Sequence, residues 1–262
     1  MRCAVVGHTE WTEFARVPHM PAAGEIVHAP HTVVEPCGGG AVVARQLALL
    51  AGRCEFFTAV GDDEIGRETV RRLSELGVDV HAQVRDEPSR RAWVHVDGAG
   101  ERTITVLGDK LVAHGPLPLR GYDAVFFVAG DAAAARSARE ARFLAATPRE
   151  LATLEEAAVP LDLLVGSGTD PGERYEGSLD VRTLVRTAGA RGGVADGVPY
   201  EAAPLTGPVA DTYGAGDSFA AALCFALARG DALEDALALA ARAGAAVIAG
   251  TGPYATQLAL AE

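Results

Sequence analysis

Short, fully apolar segments recur along the chain, and each is followed by a segment with helical periodicity. Runs such as CAVVG, CEFFTAV and YDAVFFVAG are typical of strands buried on both faces of a parallel sheet. GGGAVVARQLALLAG and GDDEIGRETVRRLSELGVDV place apolar residues on one helical face and have a glycine at the helix end. The alternation predicts an α/β fold with a central, mostly parallel sheet and helices on both faces.

Residues 91–107 follow a different pattern. Ala92, Val94 and Val96 alternate with more polar positions and with Trp93, and DGAGE follows as a turn. This period of two predicts a β-hairpin with one exposed face, set apart from the main sheet. The residues from the first strand to about position 34 contain several prolines and are interpreted as an irregular excursion.

The second half of the chain continues the alternation. An Ala- and Arg-rich helix is predicted at about 132–142, strands at 143–146 and 161–165, and two short strands about the glycine turn in TLVRTAGARGGVADG. Two helices close the chain. The first runs from about Ala215 to Arg229 with Gly230 as its cap, and the second begins at Asp231, with Glu234 as its capping-box partner, and ends near Gly250.

Composition and charge limit the function classes. The chain has 262 residues, of which 49% are hydrophobic, and a formal net charge of −12, so one large domain with a sizeable core is expected. The basic residues form no patch for nucleic acid, and no apolar run is long enough for a membrane span or a signal peptide. We therefore expect no nucleic-acid or membrane partner and a cytoplasmic location. The scattered cysteines, which are Cys3, Cys37, Cys54 and Cys224, indicate reduced thiols.

The segment DTYGAGDSF, which begins at Asp211, carries the clearest candidate chemistry. Gly214, Ala215 and Gly216 precede an apolar helical pattern, and the free amides at such a helix start attract anions. These amides are suited to the charge of a transferring phosphoryl group, and Asp217 is suited to accept the proton of an attacking hydroxyl. The alternative is an ordinary glycine turn in which Asp217 is a first-turn acid favoured by the helix dipole.

The same segment closely resembles the C-terminal signature of the ribokinase-like (PfkB) carbohydrate kinases. PCGGGAVVARQLALLAG resembles the N-terminal signature, VGDDEIGRETVRRLSELGVDV the segment after it, GERTITV the lid hairpin and TAGARGG the nucleotide-side turn. The resemblance covers nearly the whole chain. It implies a single ribokinase-like kinase domain over residues 1–262, with a small β-sheet lid built from segments at about 9–35 and 81–107.

The resemblance also implies roles for individual residues. Asp217 is the expected general base, and Gly214, Ala215 and Gly216 form the anion hole. The resemblance implies ATP and Mg²⁺ as cofactors, together with a monovalent cation. The remaining expected site residues are Gly38, Gly39 and Gly40 beside the acceptor, Thr187, Gly189, Gly192 and Gly252 beside the nucleotide, and Asp170 and Asp211 near cations.

The chain departs from the family pattern on the acceptor side. Val43 stands where the family has an acceptor-binding asparagine, Ser167 and Asp170 stand at its N-x-x-E motif, and the early sugar-binding aspartate is absent. A different acceptor-binding site is predicted from Glu10, Trp11 and Glu13, in which Trp11 offers a face for a ring and the glutamates accept hydrogen bonds. In the alternative, Trp11 packs under the lid and the glutamates face solvent. Arg102 is expected to be a solvated or paired surface residue.

These observations favour an ATP-dependent kinase that phosphorylates a hydroxyl of a small sugar, nucleoside or related alcohol. The alternative is a family member that binds nucleotide or sugar without catalysis, as a regulatory or binding protein. A nicotinamide-dependent dehydrogenase is disfavoured because no G-x-G-x-x-G follows the first strand. The strand edges of the lid also suggest a homodimer.

Overall fold

The computed structural model describes residues 1–205 and 207–260. Its helices are α1 (Gly39–Ala51), α2 (Glu64–Glu75), α3 (Ala132–Ala138), α4 (Leu151–Ala157), α5 (Ala215–Arg229) and α6 (Leu233–Ile248). Its strands are β1 (Cys3–Val6), β2 (Glu10–Arg16), β3 (His31–Cys37), β4 (Cys54–Gly61), β5 (Asp79–Arg85), β6 (Arg91–Val96), β7 (Arg102–Leu107), β8 (Ala124–Phe127), β9 (Phe143–Ala146), β10 (Leu161–Ser167), β11 (Val181–Thr187), β12 (Gly193–Ala195) and β13 (Val198–Tyr200). The alternation of strand and helix is as predicted.

The large sheet has the strand order β13-β12-β11-β10-β9-β8-β1-β4-β5. The pairs from β11 to β5 are parallel, whereas β12 and β13 add an antiparallel edge. Because the central strands run in the same direction, their carboxyl ends meet at one edge of the sheet. Ligands of open α/β sheets bind at this edge.

Helices cover both faces of the large sheet. One buried cluster joins α1, α2, α5 and α6 to the sheet, and it includes Leu47, Leu73, Leu223 and Leu237. The other joins α3 and α4 to the opposite face through residues such as Leu154. The predicted architecture, a mostly parallel sheet between two helical layers, is confirmed.

Three helix boundaries can be compared with the sequence: the start of α2, the start of α6 and the end of α3. The Asp63 carboxylate accepts a hydrogen bond from Gly66 N–H at 2.7 Å and so caps α2. The predicted capping pair at α6 was wrong, because Ala232 is the N-cap and the Asp231 carboxylate is paired with Arg229. Similarly, α3 ends at Ala138 rather than at about 142, because the chain must turn into β9.

The second sheet, which we call the lid sheet, consists of β2, β3, β6 and β7 and has the order β3-β2-β6-β7. The predicted hairpin is β6 and β7. Two expectations need correction. The excursion near position 34 is not irregular, since β2 and β3 form a regular antiparallel pair and the prolines lie mostly between them. The lid segment was also placed too early at 81, because β5 pairs with β4 at the edge of the large sheet.

All four cysteines are buried and free. Cys3, Cys54 and Cys224 belong to the same apolar cluster beneath the large sheet, and burial raises the pKa of the Cys3 thiol to about 11. They therefore serve as small core residues, as predicted. Among the described residues, every helix is too short or too polar to cross a membrane.

Candidate active site

The start of α5 builds the centre of the site. Gly214 is the N-cap with φ of 81°, a left-handed conformation that favours glycine. A Cβ atom on Gly214 would also lie 3.0 Å from Pro253 Cβ. The first amides of α5 lack an intrahelical partner, and no described side chain caps them. Gly216 is exposed, and a Cβ there would meet no atom within 4 Å, so an anion can approach these amides.

Asp217 lies in the first turn of the same helix, and its side chain is half-buried. Its carboxylate faces the start of α1, where a Cβ atom on Gly39 would lie 3.0 Å from Asp217 Oδ1. The glycine at position 39 thus leaves room for the carboxylate. Two helix starts, predicted separately from two glycine-rich segments, converge on one acid.

Electrostatics favour a proton-accepting role for this acid. Burial raises the pKa of Asp217 to about 6, with Glu173 acting in the same direction and Arg102 and Arg149 opposing it. A base with a pKa near 6 is largely deprotonated at neutral pH and still binds a proton more strongly than an ordinary aspartate. The carboxylate is therefore suited to take a proton from a hydroxyl group.

Asp211, at the other end of the motif, supports the loop from below. It is fully buried, and its carboxylate oxygens accept hydrogen bonds from Tyr213 N–H at 2.8 Å and Gly252 N–H at 3.0 Å. These bonds connect the loop before α5 to the loop after α6. This arrangement fits an organising role for Asp211, and direct binding of a cation by its carboxylate stays a prediction.

The three glycines of the first signature have different surroundings. Gly38 caps α1, and its N–H donates to the Tyr213 hydroxyl at 3.2 Å. Gly39 borders Asp217. Gly40 packs against the residues that follow β1, since a Cβ there would lie 2.6 Å from the carbonyl oxygen of His8, which argues for a packing role rather than the predicted approach to the acceptor.

The pleat of β2 separates the three residues predicted to grip an acceptor. Glu10 is only 7% exposed and pairs with Arg90 at 3.2 Å, on the face of the lid sheet that turns towards Asp217. Trp11 and Glu13 occupy the opposite face, because successive side chains of a strand alternate, and Glu13 pairs with Arg91 there. The predicted joint grip was therefore wrong for Trp11 and Glu13, and Glu10 remains a candidate.

Val43, and Thr12 near the place of the absent family aspartate, both have buried side chains. Val43 is 1% exposed and packs into the apolar cluster beneath the large sheet. Thr12 is fully buried, with its hydroxyl near the carbonyl oxygen of Glu10. An acceptor can therefore gain no polar contact from either position.

Sequence reasoning missed several charged or polar groups around this centre. His8 follows β1, and burial together with Lys110, Arg90 and Arg149 lowers the pKa of its ring to about 3. Its Nδ1 atom is buried without a hydrogen-bond partner among the described residues. No local pattern in the sequence marks His8 or these cations, since they are brought together by long-range packing. Burial also raises the pKa of Glu10, which the sequence did single out, with Arg90 opposing and Asp217 reinforcing the shift.

The segment that follows β10 contains acids that are already paired. Asp170 accepts a hydrogen bond from Gly172 N–H at 2.8 Å and pairs with Arg149 at 2.5 Å, and these contacts lower the pKa of its carboxyl group. Glu173, which sequence reasoning did not single out, pairs with Arg149 at 2.9 Å and accepts the Ser167 N–H. Asp170 is thus engaged in a turn and an ion pair, which argues against its predicted role as a direct metal ligand.

Among the described residues, the edge that carries Asp217 has no cluster of three or more acid, cysteine or histidine ligands for Mg²⁺. Within residues 1–205 and 207–260, the one group of acid and histidine side chains close enough together to hold a metal ion consists of Glu55, Asp79 and His81. These lie near the starts of β4 and β5, away from the edge where Asp217 stands, and Arg2 and Arg53 already pair with the two acids. Mg²⁺ usually keeps several waters and binds substrate phosphates with one or two carboxylates.

The predicted nucleotide residues lie on the same edge of the sheet. Thr187 ends β11, and its carbonyl oxygen accepts Gly168 N–H at 2.8 Å. Gly189 and Gly192 bound the short 3₁₀ turn that leads into β12, and Gly252 is tied to Asp211. The structure brings these loops to the side of the sheet that carries α5, and their contact with a nucleotide stays a prediction.

Family comparison agrees with this geometry. The family model described as pfkB family carbohydrate kinase matches residues 1–124 and 173–259. The chain belongs to this family of carbohydrate kinases. The family model does not match residues 125–172, which include Arg149 and Asp170 with their ion pair.

Individual relatives agree with the assignment. A ribokinase from Dictyostelium discoideum is 31% identical over 106 residues, which are 40% of this chain and 33% of the relative. The matched stretches span about a third of the length of the curated relatives. The structure of a ribokinase from Cryptococcus neoformans in complex with ADP superimposes with a TM-score of 0.73 and 26% identity, covering 97% of this chain and 96% of that one. A ribokinase from Giardia lamblia gives a TM-score of 0.79 at 17% identity, covering 98% and 96%. The fold is therefore ribokinase-like.

Proposed function

We propose that this family member transfers the γ-phosphoryl group of ATP to a hydroxyl of a small sugar, nucleoside or related alcohol. The observation that carries the proposal is Asp217, a carboxylate with a raised pKa in the first turn of a helix whose free amides face the same space. Proton acceptor and anion site thus adjoin, as in-line phosphoryl transfer requires. ATP as the donor is supported by the ADP complex of the Cryptococcus relative.

The step assigns one role to each group. The acceptor hydroxyl gives its proton to the Asp217 carboxylate, and its oxygen forms a bond to the γ-phosphorus of ATP. The bond between that phosphorus and the bridging oxygen of the leaving diphosphate breaks, and ADP is released. The amides of Gly214, Ala215 and Gly216 stabilise the charge on the transferring phosphoryl oxygens. Magnesium, when bound with the nucleotide, neutralises phosphate charge.

Acceptor recognition in this proposal depends on the lid sheet. Glu10 can accept hydrogen bonds from hydroxyl groups, and its partner Arg90 can donate them. The nucleotide side is assigned to Thr187, Gly189, Gly192 and Gly252, and the monovalent cation to the loop held by Asp211.

A homodimer through the lid sheet is proposed because Val34 and Trp93 leave 44% and 48% of their surface exposed there. Sedimentation equilibrium measures the oligomeric state directly.

The second candidate is a protein that binds nucleotide or sugar without phosphoryl transfer. It is favoured by the burial of Val43 and by the pairing of Asp170 with Arg149. Both observations concern the acceptor and phosphate contacts rather than Asp217. The two candidates differ in whether any acceptor yields product.

The test measures phosphate transfer from ATP with magnesium across sugars, nucleosides and polyols, for the native chain and Asp217→Asn. The variant should lose about 10²- to 10⁴-fold in kcat, the usual contribution of a positioned base, with nucleotide affinity by calorimetry little changed. Asp235→Asn is the matched control, because Asp235 is an exposed acid in the first turn of α6.

Full activity of Asp217→Asn would contradict the assignment of the base. Nucleotide binding without transfer to any acceptor in the panel would favour the second candidate. Equal losses in Asp217→Asn and Asp235→Asn would indicate a general helix effect rather than a role in proton transfer.

A further inference from the structure

The turn of the lid hairpin rests directly on the loop that precedes the anion hole. Thr212 N–H donates to the carbonyl oxygen of Gly100 at 3.2 Å, and the Thr212 hydroxyl donates to the same oxygen at 3.3 Å. Gly100 also approaches Val209, whose Cγ1 would lie 2.9 Å from a Cβ at position 100. The hairpin therefore contacts this loop at Thr212, two residues before Gly214, the N-cap of α5.

Two arginines of the lid sheet bind the same loop. Arg102, the first residue of β7, donates to both the carbonyl oxygen and the hydroxyl of Thr212 at 3.2 Å. Arg16, the last residue of β2, donates to the carbonyl oxygen of Ala210 at 3.0 Å. Separate strands of the lid sheet thus converge on residues 210–212, which we call the clasped loop.

The clasped loop has a second set of contacts on its other side, towards the end of α6. Ala210 and Asp211 donate their N–H groups to the carbonyl oxygen of Ile248 at 2.9 and 3.3 Å, and the Asp211 carboxylate is fully buried. The bonds from Arg102 are solvent-exposed. Exposed polar bonds break more easily than buried ones, so the bonds from Arg102 can open while the buried Asp211 carboxylate keeps its partners.

Arg102 also contributes charge at the reacting centre. The charged groups that face Asp217 are Arg102 from β7, Arg149 and Glu173 from the ends of β9 and β10, and Glu10 from β2. Among the cations, Arg102 opposes the effect of burial on the pKa of Asp217 most strongly. The residue that holds the loop is therefore also the cation with the largest influence on the base.

We infer that Arg102 is a positioning residue that makes the geometry of the anion hole and the base depend on the lid sheet being docked. When the lid sheet is docked, Arg102 fixes Thr212 and places positive charge near Asp217. When the lid sheet moves away, the clasped loop loses its contacts with Arg102, while Asp211 keeps the loop attached to the core. This inference rests on the proposed function for its catalytic part, whereas the contact itself does not.

The structural part is tested by amide exchange in the ligand-free protein, measured by NMR. Arg102→Ala should speed exchange of the Thr212 amide about five- to tenfold, the equivalent of roughly one hydrogen bond. The amides of Ala210 and Asp211 should remain protected, because their bonds lie on the core side. Arg102→Lys should fall between, since one ammonium can replace only part of the contact.

The matched control is Arg91→Ala, which removes the same charge from the outer face of the lid sheet. It should leave Thr212 exchange unchanged. Unaltered exchange at Thr212 in Arg102→Ala, or equal acceleration in Arg91→Ala, would overturn the inference.

The catalytic part is tested by the pH dependence of kcat. Arg102→Ala should lower kcat by up to about a hundredfold, as small misplacements of catalytic groups do, and should move the acid limb to higher pH because the pKa of Asp217 rises. A loss of kcat without movement of the acid limb would overturn this part. If the native chain transfers no phosphate, the proposed function fails, while the exchange experiment still decides whether Arg102 holds the loop.

Discussion

Asp217 and Asp170 stand at the same edge of the large sheet, yet their surroundings are opposite. Asp217 lies near cations and makes no ion pair within the described residues, and burial raises its pKa to about 6. Asp170 has an amide and a guanidinium as partners, and its pKa is lowered. A carboxylate left without a partner can accept a proton, whereas a paired one stabilises its loop. The difference shows that position at this edge alone does not determine whether the pKa of an acid is raised or lowered.

Beyond replacement of Asp217 itself, the largest expected effect comes from crowding its carboxylate. Gly39→Val introduces a side chain at the place where a Cβ already lies 3.0 Å from Asp217 Oδ1. Displacement of the carboxylate should lower kcat about a hundredfold, as measured in steady-state phosphate transfer. Gly207→Val is the control, because a Cβ there meets only Ala249 at 3.9 Å. Equal activity of the two variants would show that the Asp217 carboxylate does not need this space.

A second effect, of opposite sign at the two acids, concerns the free energy of unfolding. Asp217 has a raised folded-state pKa, so its charge opposes folding above that pKa, and the penalty disappears below the unfolded-state pKa. Asp170 has a lowered folded-state pKa, so its charge favours folding above the unfolded-state pKa, and this contribution is lost as pH falls through the folded-state pKa.

At pH 7, Asp217→Asn should therefore raise the free energy of unfolding by about 1 kcal/mol. Asp170→Asn should lower it by roughly 0.2–1 kcal/mol, because its ion pair is largely exposed. Urea denaturation at pH 7 measures both values, and repetition at pH 4 should reduce the gain in Asp217→Asn. Two changes of the same sign would contradict the comparison.

The smallest effect comes from the residue that faces both acids. Arg149 pairs with Asp170 and Glu173 and also lowers the pKa of Asp217. Arg149→Ala should raise the pKa of Asp217, so that the acid limb of kcat moves to higher pH. The pH profile of phosphate transfer measures the shift, with Arg120→Ala as the control, because Arg120 is paired only at the surface. An unmoved limb would show that Arg149 is too well screened to act on the base.

The loop before α5 and the order of elements could be predicted because their signals are local. The glycines of DTYGAGDSF and the following apolar helix are adjacent in sequence, so the start of α5 and the place of Asp217 follow from them. The apolar strands likewise signal their own burial. The segment DVHAQVR of β5 carries no such signal, because an edge strand with polar side chains resembles part of a hairpin.

The remainder of the site depends on contacts between distant residues. Glu10 and Glu13 differ only in which face of β2 they occupy, and no strand was predicted there. Arg149 and Asp170 are 21 residues apart in the chain, and Arg102 and Thr212 are 110 apart. Pairings of this length are set by the topology of the sheets, which no short pattern encodes.

Val43 has one more consequence. Val43 lies in α1 and supports the core, whereas the remaining candidate for acceptor binding, Glu10 with Arg90, lies in or next to the lid sheet. Under the proposed function, core stability and acceptor preference therefore depend on different parts of the chain. Substitutions in the lid sheet should then change the preferred acceptor and leave the scaffold that carries Asp217 intact.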